Sequence, residues 1–169
     1  MAIDTRGSYT AHAALSVSST YEDGTAWTLT IKDLDEVPDG TAVDASIADG
    51  EPIMFPVFFE GTGGGTVPTT TAGTGDVLLN VTFLCCVNAP RVIFENKNPK
   101  TGEMDTLCDI GPKAIDVHNT YITALFNDDD LDGSLDYALE VSTEIGAYHW
   151  AGKLYSGFMV RHVWRYLVG

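Results

Sequence analysis

Asp128-Asp129-Asp130-Leu131-Asp132-Gly133 is the segment whose residue types and spacing most directly suggest chemistry. Aspartates at alternate positions ahead of a glycine can wrap their oxygens around Ca2+, as the opening of an EF-hand loop does. Leu135 stands at the expected apolar position and Asp136 at the next oxygen position. The candidate ligands are therefore Asp128, Asp130, Asp132 and Asp136, and Ca2+ is the one cofactor suggested. The match then breaks: the bidentate carboxylate position holds Leu139, and Glu140 comes one residue late. The competing reading is a solvated acidic turn, which a bound cation would only stiffen.

Other chemistry finds less support. Gly61-Thr62-Gly63-Gly64-Gly65 lacks the lysine and the following helix of a phosphate-binding loop. There is no GxSxG, no HExxH and no workable Cys/His pairing. Glu140 and Glu144 could form a carboxylate pair, but in so acidic a chain such pairs carry no information. No catalytic residue is assigned, and the chain is expected not to be an enzyme. Tyr148, His149 and Trp150, with Tyr155 nearby, could form an aromatic platform for sugars or simply pack. Arg161, His162, Trp164, Arg165 and Tyr166, near Lys153, mix basic and aromatic residues as interface hot spots do. They form the candidate interface.

The 169 residues suffice for one domain with a real core, so residues 1–169 are read as a single β-domain. Nine Lys and Arg against 24 Asp and Glu give a formal net charge of −15. Such a field repels nucleic acid and anionic membranes and favours a basic protein surface or a cation as partner. Of the three cysteines, the adjacent Cys85 and Cys86 should point to opposite faces of a strand. With Cys108 they read as small buried apolar residues. MAIDTRGSYT has no apolar signal region, and no stretch approaches transmembrane length, so synthesis in a cytoplasm is expected.

The elements that must position these residues read as strands. Alternation at residues 12–17 and 27–32, around Glu22-Asp23-Gly24, predicts a hairpin. An acidic connection over residues 33–51 leads to Ile53–Phe59, where Pro56 marks an edge strand or bulge. Residues 61–75 read as a long exposed Gly/Thr-rich loop. Val77–Val87 is apolar enough for a central strand buried on both faces. A second hairpin is expected around residues 96–102, with strands at 91–95 and 104–110. Further strands are expected at Ala114–Phe126, Leu135–Ile145 and Tyr155–Val168. The fold class expected is all-β: an antiparallel β-sandwich, jelly roll or barrel with long exposed loops.

In style and composition the whole chain resembles a bacteriophage capsid decoration (cement) protein. The features that carry this are MAIDTRGSYT at the start, a small β body, the Gly61–Gly75 loop, strong acidity and the missing catalytic constellation. The resemblance implies a non-enzymatic virion protein on the capsid surface, made in the host cytoplasm. Its partners would be the major capsid protein and copies of itself as a dimer or trimer, with neither nucleic acid nor membrane among them. Two alternatives stand beside it. One is a phage tail or head–tail connector component, forming a ring with long strands pairing between subunits. The other is a calcium-dependent carbohydrate-binding module using Tyr148, His149 and Trp150.

Overall fold

In the computed structural model, residues 3–22, 24–66, 74–88 and 107–168 are described. In chain order they form α1 (Thr5–Ala13), β1 (Ser18–Thr20), β2 (Ala26–Thr28), β3 (Thr30–Ile31), a 3-10 turn (Leu34–Glu36) and α2 (Gly40–Ala48). There follow β4 (Ile53–Thr66), β5 (Thr74–Asn88), α3 (Leu107–Phe126), β6 (Glu140–Trp150) and β7 (Lys153–Val168). The described chain is mostly β, with three α-helices.

The main sheet has five strands in the order β3-β4-β5-β7-β6, and β1-β2 form a separate two-stranded ladder. β3 runs parallel to β4, and every other pairing is antiparallel. Pleating sends alternate residues to opposite faces. Val81, Phe83 and Cys85 of β5, with Phe158, Val160, Trp164 and Tyr166 of β7, face a core completed by α1, α3 and the small hairpin. Leu84 and Cys86 face the other way, into a smaller core with Val43 of α2, Ile53, Phe55 and Tyr155. Cys85 and Cys86 are both buried free thiols on opposite faces. Burial and the neighbouring Asp44 push the Cys86 thiol up to about 12.

Several segments differ from the expectation. Residues 5–13 are helix, because Asp4 caps the first turn by accepting from Gly7 N at 2.9 Å, and Ser8, Tyr9 and His12 share one buried face. A hairpin is present as β1 paired with β2, but its first arm lies at Ser18–Thr20, beyond the expected residues 12–17, which hold no strand. The acidic connection contains α2, whose N-cap Asp39 accepts from Ala42 N at 2.8 Å. Asp39 and Gly40 thus start a helix inside the expected connection.

Ala114–Phe126 lies in α3: Ala114, Val117, Tyr121 and Leu125 are buried at helical spacing. Residues 107–110 belong to the same helix, while the strand expected at 91–95 and the turn at 96–102 fall outside the described residues. Leu135–Leu139 is irregular, and the strand there begins at Glu140.

Gly61–Gly65 is exposed, and the Gly/Thr-rich segment is not all loop. Gly61–Thr66 pairs with Thr74–Leu79 as the outer half of the β4–β5 hairpin, and residues 67–73 lie outside the description. Pro56 sits at a bulge between Pro56 and Phe58, as expected of a proline in such a run.

Candidate functional site

The acidic turn uses its carboxylates on its own backbone. Asp128 Oδ1 accepts from Asp132 N at 2.8 Å, and Asp130 Oδ1 accepts from Gly133 N at 3.0 Å. Asp136 Oδ2 accepts from Leu167 N at 2.7 Å, while Asp136 N donates to Arg165 O at 3.2 Å, so this residue ties the turn to the end of β7. Leu131, Asp132 and Gly133 all have positive φ (47°, 57° and 74°), and fully buried Leu131 anchors the left-handed run in the core. The four candidate calcium ligands are not brought into a cluster: among the described residues no group of three or more His, Cys, Asp or Glu is placed to hold a metal ion.

The candidate interface on β7 is split by the pleat. His162, Trp164 and Tyr166 lie on the face toward α1 and α3 and are buried in the chain's own core. This corrects their reading as interface residues: within this chain they have no surface to offer. Arg161 and Arg165 lie on the opposite face with Val163 and Leu167, and Arg165 sits over the Tyr137 ring at 5.2 Å. Basic and aromatic residues that adjoin in sequence are therefore separated by the thickness of the sheet.

The aromatic run on β6 is divided too. Tyr148 and Trp150 pack against the smaller core, Trp150 at 4.7 Å from the Phe55 ring and donating from Nε1 to Pro38 O at 3.2 Å. His149 is exposed on the other side. The three do not form one platform. Tyr155 is buried and donates to Asp44 Oδ1 at 2.8 Å, and Lys153 pairs with the same carboxylate. The Lys153 hydrogen bond and that from Tyr155 hold the Asp44 carboxyl below its ordinary value.

Sequence reasoning missed a buried polar chain that crosses the larger core. Trp164 Nε1 donates to His162 Nδ1 at 3.2 Å, Tyr121 Oη lies 2.9 Å from His162 Nε2, and His12 Nε2 lies 2.6 Å from the same hydroxyl. An indole N–H only donates, so His162 Nδ1 is the acceptor and its proton sits on Nε2. That proton goes to the Tyr121 oxygen, and the Tyr121 hydrogen goes to His12 Nε2. His12 then carries its proton on Nδ1, which is buried without a partner.

Burial lowers His12 to about 3, and burial with the facing His12 drives His162 well below the ordinary value. Both are neutral in the folded state over the whole physiological range. The chain bridges α1, α3 and β7, so its chemistry is that of a core fastener. No local spacing links residues 12, 121 and 162, because their partners come together only through contacts 41 and 109 residues apart in sequence.

Among the described residues, the outer edges of the sheet are largely without a neighbouring strand. Beyond Ile53 and Met54, which pair with β3, no strand among the described residues lies along the outer side of β4, nor along that of β6. Phe58 and Phe59 on β4 are 58% and 66% exposed, and Ile145 on β6 is 43% exposed. A strand edge presents unpaired N–H and C=O groups, a template for another strand. No helix among the described residues is long and apolar enough to cross a membrane. No protein-family model matches the chain, and a search of curated proteins finds no match.

Proposed function

We propose that this chain is a non-enzymatic structural protein of a bacteriophage particle that works by copy-to-copy assembly, in the manner of a tail or head–tail connector ring component. The observation that carries this reading is the pair of long strand edges on one sheet that no other described strand covers beyond the start of β4, one of them bearing exposed Phe58 and Phe59. A protein that stays alone usually blunts such edges with lysines, prolines or short strands. Here the outer part of β4 from Phe58 to Thr66 carries one charge, Glu60, and no lysine. The net charge of −15 limits unspecific clumping while leaving edge pairing available.

A second reading, the capsid decoration role, is favoured by a different observation. The face of β7 away from the larger core is covered by α2 only in part, leaving Arg161, Leu167 and, on β4, Phe58 in solvent. That mixture could dock on a capsid protein. Light scattering and negative-stain microscopy of the purified protein, with co-sedimentation on purified capsids, separate the two. Rings or tubes formed by the protein alone support the connector role. A small closed oligomer that pellets with capsids supports decoration, and a monomer that stays free of capsids defeats both.

A further inference from the structure

We infer that the interface between copies is head to tail, with the free edge of β4 in one copy pairing antiparallel with the free edge of β6 in the next; this rests on the assembling role proposed above. Strand direction permits it. β4 is antiparallel to β5, β5 to β7 and β7 to β6, so the two outer strands of the antiparallel run point in opposite directions. Setting a second copy beside the first in the same orientation therefore brings β6 against β4 as an antiparallel pair, and the sheet continues across the junction. Length agrees as well, since β6 has 11 residues and β4 has 14, of which the first two pair with β3.

Side-chain direction selects the register. Phe59 is opposite Val81 and so lies on the larger-core face, whereas Phe58, opposite Thr82, lies on the other. On β6, Ile145 is opposite Phe158 on the larger-core face and Tyr148 is opposite Tyr155 on the other. Pairing Phe58 with Tyr148 keeps each face continuous and sets Phe59 against Ala147, Glu60 against Gly146, Gly61 against Ile145 and Thr62 against Glu144.

A slip of one residue would exchange the faces. A slip of two in the direction that opposes Glu60 to Glu144 brings two like charges together. The glycines of β4 offer no side chain to hinder an approaching backbone. Nine residues of pairing make a strip about 30 Å long and about 10 Å thick, roughly 300 Å² per copy, well short of the roughly 800 Å² per partner of a stable dimer. Such a contact holds best when every copy makes it twice, which is the condition of a closed ring.

Paired cysteines test this. Within one chain β4 and β6 are separated by β5 and β7, roughly 14 Å, too far for a disulfide. A bond between Phe59→Cys and Ala147→Cys must therefore join two copies. Both positions are exposed, so the fold should tolerate the changes, and circular dichroism checks this. After mild oxidation the double variant should give a ladder of covalent multimers on a non-reducing gel, ending at one closed size. The wild type and each single variant should run as monomers.

Covalent dimers from Phe59→Cys alone would instead show β4 meeting β4 across a two-fold axis and would overturn the inference. A native oligomer seen by light scattering, with no ladder from the double variant, overturns it while leaving assembly intact. A wild type that remains a monomer at high concentration removes the assembling role itself. As a second variant, Phe58→Asp should shift the native oligomer to monomer without altering the circular dichroism spectrum; an unchanged oligomer would also count against the inference.

Discussion

Lowering the pH from 7 to 5 should weaken this fold through the two histidines in its core. In the unfolded chain each has an ordinary pKa near 6.5, whereas in the folded protein burial lowers His12 to about 3 and His162 well below its usual value. A group whose folded pKa is depressed contributes stability that is fully present above the unfolded value and lost as pH falls toward the folded one. The unfolded state binds more protons throughout that window, so stability rises with pH. Integrating from pH 7 to 5 gives a loss of about 2 kcal/mol for His12, and His162 adds a loss of the same sign.

Against a typical stability of about 5–15 kcal/mol, this is a large fraction. Urea unfolding followed by tryptophan fluorescence, with Trp164 inside the same core, would measure it. His12→Gln separates the histidine term from the carboxylates, because its amide oxygen can still accept the Tyr121 proton but does not titrate. Its loss over the same pH interval should be smaller than the wild type's by about 2 kcal/mol. Equal losses in the two proteins would mean that His12 accepts a proton in the folded state and would refute the argument.

Other changes probe other contacts. Tyr121→Phe preserves ring volume but strands His12 Nε2 and the His162 Nε2 proton in the core, and should cost about 1–3 kcal/mol for each orphaned group in urea unfolding. At Gly157 a Cβ would overlap the backbone carbonyl of Cys85, beside the bulge between Cys86 and Asn88. Gly157→Ala should therefore lower stability by about 1–3 kcal/mol, visible as a lower thermal midpoint. Asp39→Ala removes the N-cap of α2 and should cost about 0.5–2 kcal/mol; because α2 supplies Val43 to the smaller core, the loss should appear as faster amide exchange in α2.

The molecule divides into a rigid interior and an available rim. The larger core is held by aromatic rings in contact, such as Tyr9 against Trp164 at 4.8 Å, and by the polar chain that joins helix layer to sheet. Ser8 adds a second tie, 2.8 Å from both the Tyr166 hydroxyl and the Ser134 hydroxyl, between α1, β7 and the region after the acidic turn. Such ties fix the sheet against its helices, so any docking at the outer strands meets a preformed edge and little ordering cost.

Strands β5 and β7 were legible because each is long and decisively apolar on at least one face, and the alternation alone announces Phe158, Val160, Trp164 and Tyr166. The proline bulge and the opposed faces of Cys85 and Cys86 follow equally from local geometry. The helices were not legible for a definite reason. α1 buries Ser8 and His12, which look solvent-facing until Tyr166 and Tyr121 arrive from more than a hundred residues away. In α3 the buried residues obey helical spacing, but a segment rich in β-branched and aromatic residues also satisfies the composition of a strand.

The acidic turn showed its polarity in sequence, yet the backbone amides that take up its carboxylates depend on a left-handed run at Leu131–Gly133 that only the packed chain stabilises. The candidate interface divided for the same reason. Sequence places Arg161 beside His162 and Trp164 beside Arg165, whereas the sheet, once α1 and α3 cover one face, decides that the rings go inward and the guanidinium groups go out.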